Sequence, residues 1–318
     1  MEKKRPFHIE EMLTQRLRVS PRRIFLIFFV IICTTILNWL WNHNRVNTTL
    51  EYYSHPIPII SAKFPNLVLW SSDFHISPVQ DIKHLLSKFE VSIIDKSLSG
   101  HCHLTNTCER DLRILNVNNG INLNPCPNGI KREFYNSYRT DPDFLRVDAF
   151  LCLHAASLCE VFMPFKKPLI VIASTRYEIG RYQRRRWLEW NVNLRRIAAN
   201  PNNVIAANNL YDLEYIKYFT GIRNVILLPS FGGYVTARYE YMFPASRPQY
   251  LIAPARGVNP ELSKQLLAAA EKALVPLSHI RDLYPHFEYS DLALHPAVII
   301  IPYQISFMTF FEMYRMVY

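Results

Sequence analysis

Glycine is scarce in this sequence, with 8 residues in 318, whereas proline occurs 21 times. This balance excludes collagen-like and glycine-rich low-complexity material. The sequence also contains no repeat with the period of a solenoid or a propeller. Hydrophobic residues make up 49% of the chain, which is enough to build buried cores. We therefore expect a folded α/β or α+β body of one large domain or two ordinary ones.

Several catalytic and metal-binding signatures are also missing. There is no P-loop and no HExxH, so a divalent metal ion has no obvious site. A serine hydrolase is disfavoured because no Gly-X-Ser-X-Gly elbow is present, although Ser230 precedes Phe231-Gly232-Gly233. We expect neither a metal ion nor a cofactor.

An uncharged run from Ile24 to Trp41 predicts a single transmembrane helix. Its bulky end, which includes Trp39, favours a retained anchor over a cleaved signal peptide or a buried core helix. Seven Lys and Arg residues precede the run and only Arg45 follows closely. This asymmetry predicts a type II membrane protein of the Golgi or ER with a lumenal body. Because the basic tail explains part of the net charge of +10, we expect no nucleic-acid partner.

The lumenal side has one glycosylation signal and five cysteines. Asn47-Thr48-Thr49 is the predicted acceptor. Cys102, Cys108 and Cys126 lie in a stretch rich in turn residues, where a disulfide is favoured. His101 and His103 beside Cys102 raise the alternative of zinc, but the usual ligand spacing is absent.

Apolar runs alternate with helical patterns through the rest of the chain, as in α/β proteins with parallel sheets. The resulting domain organisation has six parts: a tail over 1–23, a transmembrane helix over 24–41, a stem over 42–63, an N-terminal Rossmann-like domain over 64–230, a linker over 231–248 and a C-terminal Rossmann-like domain over 249–318.

Two positions after apolar strands are candidates for binding ligands. Arg176 follows the predicted strand Pro168 to Ala173, where it would meet a phosphate or an acidic acceptor. Ser306 is a predicted helix N-cap, and free amides at a helix start attract anions. Glu312, further along that helix, would accept hydrogen bonds from sugar hydroxyls. An ordinary surface glutamate is the alternative, and the pattern alone favours it.

From about Phe64 onward the chain resembles the body of a GT-B glycosyltransferase. The resemblance is carried by Val204 to Asp212, by Thr220-Gly221-Ile222 and by Pro302 to Glu312. It implies two Rossmann-like domains that face a cleft, with a nucleotide sugar bound mainly by the second. In that family a glutamate in the position of Glu312 contacts the donor ribose, and the start of its helix receives the diphosphate. The donor-binding residues would then be Tyr303, Gln304, Ser306 and Glu312.

The resemblance also gives roles to two residues of the first domain. Asp73 and His75 follow the first strand, where a GT-B enzyme places its general base. A polar cap of the loop is the alternative interpretation. The GT-B pattern continues beyond a glutamate helix of this kind, so the second domain is expected to be incomplete here.

The leading hypothesis is a lumenal glycosyltransferase that uses a nucleotide sugar and a glycan or glycoprotein acceptor. The alternative is a non-catalytic, membrane-anchored binding protein with a transferase-like fold. Donor binding discriminates between them.

Overall fold

The first sheet is built from short apolar runs that pair in parallel. In this computed structural model the described residues are 63–108, 112–116, 127–174, 177, 183–235, 248–253, 260–301 and 308–316. The strands of the first sheet are β1 (Val68–Ser71), β2 (Ser92–Asp95), β3 (Ala149–Cys152), β4 (Leu169–Ala173), β5 (Val204–Ala207) and β6 (Ile226–Leu227). They lie in the order β2-β1-β3-β4-β5-β6.

A second, three-stranded parallel sheet follows in the chain. Its strands are β7 (Tyr250–Ile252), β8 (Leu277–His279) and β9 (Val298–Ile299), in the order β8-β7-β9. Both sheets belong to one compact unit, Ala62–Tyr318. The described body is therefore an α/β structure with two parallel sheets in series.

Helices connect the strands. They are α1 (Ile76–Leu86), α2 (Pro127–Tyr138), α3 (Pro142–Arg146), α4 (Cys159–Phe162), α5 (Arg184–Ala198), α6 (Leu210–Thr220), α7 (Pro260–Lys272), α8 (Ile280–Leu283), α9 (Tyr289–Leu292) and α10 (Met308–Met316).

Both faces of the first sheet are covered, as expected for parallel strands. On one face α1 contributes Val79 and Ile82 to a cluster with Leu151 and Ile172. The other face holds a larger aromatic core, in which Phe150 stacks on Phe162 with ring centroids 4.6 Å apart. This two-sided burial explains why the strands are apolar at successive positions.

Two disulfides lie in the described part of the chain. One joins Cys102 to Cys108 and encloses a short 3-10 turn. The other joins Cys152, the last residue of β3, to Cys159, the first residue of α4. Because the Cys102 and Cys108 sulfurs are bonded to each other, they are not available as thiolate ligands for zinc.

The expected architecture needs one correction, since its N-terminal transmembrane helix has no counterpart among the described residues. No helix in that part of the chain is long and apolar enough to cross a membrane. The longest of them, α5, has 15 residues. It spans about 22 Å, short of the roughly 30 Å hydrocarbon layer, and it is rich in arginine. The predicted span, Ile24 to Trp41, lies outside the described residues.

Candidate functional site

The order of the strands creates a crevice at one edge of the first sheet. From β1 the chain moves outward to β2, then returns past β1 to β3 and continues in the opposite direction. Connections therefore leave the carboxyl ends of β1 and β3 on diverging paths. In open α/β sheets this switch point is where ligands bind. The residues that leave these two strands form the candidate site.

Asp73, just beyond β1, forms hydrogen bonds to the loops that follow both β1 and β3. One carboxylate oxygen, Oδ1, accepts a hydrogen bond from the His75 amide at 3.1 Å. The other, Oδ2, accepts one from the Leu153 amide at 3.1 Å, next to β3. The side chain is buried, with only 1% of the residue exposed. Asp73 therefore positions both loops.

Burial sets the ionisation of this carboxyl group. Desolvation raises the pKa of Asp73 from 3.8 to about 6, although hydrogen bonds from neighbouring backbone amides act in the opposite direction. The pKa of Asp73 thus lies near the range in which a group exchanges a proton at neutral pH.

Two histidines flank Asp73 in the crevice. The rings of His75 and His154 lie with centroids 5.0 Å apart, and both residues are half-buried. His75 is the N-cap of α1, because its Nδ1 accepts a hydrogen bond from the Ser77 amide at 3.3 Å. In a neutral ring this leaves the hydrogen on Nε2.

The sequence alone gives little indication of a role for His154. It follows the apolar run that forms β3, and a polar residue after such a run was the only available signal. Its importance follows from the pairing of β3 beside β1, which brings it next to His75.

Buried polar residues continue along the same edge of the sheet. Asn208, after β5, donates a hydrogen bond from Nδ2 to Ser230 Oγ at 3.1 Å. The side-chain amide of Asn208 thus fixes the position of the Ser230 hydroxyl. Ser174, after β4, is 1% exposed, and its hydroxyl has no hydrogen-bond partner in the described part of the chain. Buried groups of this kind are uncommon in folded proteins.

Glu312, on α10, reaches this region from the second sheet. Its Oε1 accepts hydrogen bonds from Ser77 Oγ at 2.7 Å and from the Tyr234 hydroxyl. The Tyr289 hydroxyl is bonded to the same carboxylate. Glu312 is only 8% exposed, so it is not the ordinary surface glutamate that the sequence pattern favoured.

The tyrosines at Glu312 stay protonated. Burial, followed by the negative charge of Glu312, raises the pKa of Tyr234 and of Tyr289 far above the usual range. Both hydroxyls are therefore hydrogen-bond donors to the carboxylate at any physiological pH.

The remaining predicted site residues lie outside the described part of the chain: Asn47, Cys126, Arg176, Tyr303, Gln304 and Ser306. Within the described residues, no group of three or more His, Cys, Asp or Glu side chains is arranged to hold a metal ion. The candidate site consists of Asp73, His75 and His154, with Ser77 and Glu312 beside them.

Comparisons with known proteins add a distant structural similarity. No protein-family model matches the sequence, and no curated protein matches it. A UDP-N-acetylglucosamine 2-epimerase from Rickettsia bellii superposes with a TM-score of 0.40 at 12% sequence identity. The match covers 79% of this chain and 72% of that one. No family assignment follows from a similarity of this size.

Proposed function

We propose that this chain is a glycosyltransferase of GT-B architecture, which transfers a sugar from a nucleotide-sugar donor to a hydroxyl of a glycan or glycoprotein acceptor. The observation that carries the proposal is the pair of imidazoles at the switch point. Their loops are held together by the buried carboxylate of Asp73. Glu312, on α10, bonds to Ser77, which lies two residues after His75.

Transfer requires the acceptor hydroxyl to lose a proton as its oxygen attacks the anomeric carbon of the donor. The bond from that carbon to the diphosphate breaks, and the nucleotide diphosphate leaves with the bonding electrons. His154 takes the acceptor proton, because His75 already uses Nδ1 to cap α1. His75 donates a hydrogen bond from Nε2, which orients the reactants. Asp73 is a positioning residue, since its oxygens bind backbone amides of both loops.

The two disulfides support an oxidising compartment for this activity, such as the lumen of the secretory pathway. Disulfides of this kind are rare in reducing compartments. The nucleotide-sugar donor and a glycosylated acceptor are expected to meet there.

The test is an activity screen with UDP-glucose, UDP-N-acetylglucosamine, GDP-mannose and GDP-fucose, scored by release of nucleotide diphosphate with and without glycan acceptors. His154→Gln should lower kcat by about a hundredfold or more, the usual contribution of a general base. His286→Gln is the matched control, because His286 is exposed and lies after β8 of the second sheet. Equal loss in both variants, or no effect of His154→Gln on an active protein, would contradict the assignment.

One observation favours a second candidate, a binding protein without catalysis. The carboxylate expected to hold the donor is already engaged by Ser77, Tyr234 and Tyr289. A protein that binds a nucleotide sugar saturably but never releases nucleotide diphosphate would support this alternative.

A further inference from the structure

One face of α1 is docked against the chain that follows the first sheet. Ser77, Asp81 and His84 are spaced so that they lie on the same side of the helix. Ser77 bonds to Glu312, as described above. The Asp81 carboxylate accepts hydrogen bonds from the Gly233 amide at 3.1 Å and from the Phe231 amide at 3.3 Å.

Two glycines allow this close approach. A Cβ atom on Gly233 would lie 2.5 Å from the His84 ring. Gly232 has a φ of +60°, and a Cβ there would lie 3.2 Å from the Phe311 carbonyl oxygen. The segment therefore packs closely against α1 and α10 at these positions.

Glu312 follows Phe311 on α10, next to this segment. Its carboxylate is surrounded by hydroxyl groups, as it would be if a sugar were bound to it. The carboxylate accepts hydrogen bonds from the hydroxyl groups of Ser77, Tyr234 and Tyr289. Neighbouring hydroxyls of a ribose or a pyranose offer the same donor chemistry. The protein thus provides its own hydroxyl donors to Glu312, in place of those that a carbohydrate ligand would provide.

We propose that the hydroxyls of Ser77 and Tyr234 form an autoinhibitory latch, which occupies Glu312 until the hydroxyls of a ligand displace them. This inference rests on the proposed function and deepens it, because it describes how the nucleotide-sugar donor gains access to the Glu312 carboxylate. Ser77 also donates its amide to His75. Release of Ser77 from Glu312 therefore loosens the first turn of α1, which carries the capping histidine of the crevice.

The latch is tested with Ser77→Ala and Tyr234→Phe, each of which removes one hydroxyl and little else. Tyr314→Phe is the matched control, because Tyr314 is on the same helix as Glu312 and is 75% exposed. Without ligand, hydrogen exchange in the first turn of α1 and in α10 should rise in both latch variants and stay unchanged in the control.

Affinity gives the second readout, with the four nucleotide sugars named above as probes. Both latch variants should bind the preferred probe about tenfold more tightly than the parent protein, since one competing hydrogen bond is gone. Glu312→Gln should bind it more weakly. Latch variants that bind no more tightly than the parent protein would overturn the latch.

Failure of the proposed function would look different. In that case no form of the protein binds any of the four probes. Hydrogen exchange alone then tests whether Ser77 and Tyr234 hold Glu312. A rise in both latch variants would then support a closed latch with a different hydroxyl-rich ligand, and unchanged exchange would overturn it.

Discussion

Replacing Asp73 by asparagine should change how the stability of the protein depends on pH. The carboxyl group is buried, and its pKa is raised from 3.8 to about 6 by burial. The folded protein therefore holds this proton more tightly than the unfolded chain does. The stabilisation is complete below about pH 3.8 and is lost as the pH rises through about 6.

The size of the effect follows from the two pKa values. The gap between 3.8 and about 6 corresponds to about 3 kcal/mol of unfolding free energy. Asp73→Asn has no titrating group at this position. Its lost hydrogen bonds lower stability by an amount that does not change with pH. The difference between wild type and variant should therefore shift by about 2 kcal/mol between about pH 4 and about pH 7.

Urea denaturation at several pH values, with the disulfides intact, measures this difference. Ser72→Ala is the control, because Ser72 is buried beside Asp73 and has no ionisable group. Its curve should run parallel to that of the wild type. If the difference between wild type and Asp73→Asn is constant over this range, the pKa of Asp73 is not raised and the reasoning fails.

Three further predictions concern stability, measured by chemical denaturation. Glu160→Gln should cost about 3 to 5 kcal/mol because it leaves the buried Arg186 charge unpaired, whereas Glu189→Gln, at an exposed pair with Arg185, should cost less than about 1 kcal/mol. Replacing both Cys152 and Cys159 by alanine should cost about 2 kcal/mol, as expected for a short disulfide loop. Gly233→Ala should destabilise by about 1 to 3 kcal/mol through its clash with the His84 ring, and His84→Ala should restore most of that loss. A tolerated Gly233→Ala would show that the packing against α1 is looser than described.

The strands of the first sheet were predictable because burial on both faces demands apolar residues at successive positions. The run over 168–173 became β4, and the run over 149–153 became β3. β8 was missed because it is a short edge strand, Leu277–His279, with mixed polarity. α2 was missed for a different reason. Its start, Pro127-Asn128-Gly129, consists of residues that are common in turns, although proline is also favoured in the first turn of a helix.

The candidate site was predictable only in part. Asp73 and His75 stand after an apolar strand, and this local pattern located them in the sequence. His154 could not be paired with His75 without knowing that β3 lies beside β1. The burial of Glu312 depends on a contact with Ser77 across 235 residues of chain. No local pattern contains such information.

The most direct test of the central claim is calorimetric titration of the four nucleotide sugars into the wild-type protein, Glu312→Gln and Tyr314→Phe. At least one of them should bind saturably to the wild type. Binding to Glu312→Gln should be about ten- to a hundredfold weaker, because this variant loses charge-assisted hydrogen bonds to ligand hydroxyls, and binding to Tyr314→Phe should be unchanged. Absence of binding by all four, or equal binding by Glu312→Gln and the wild type, would contradict the claim.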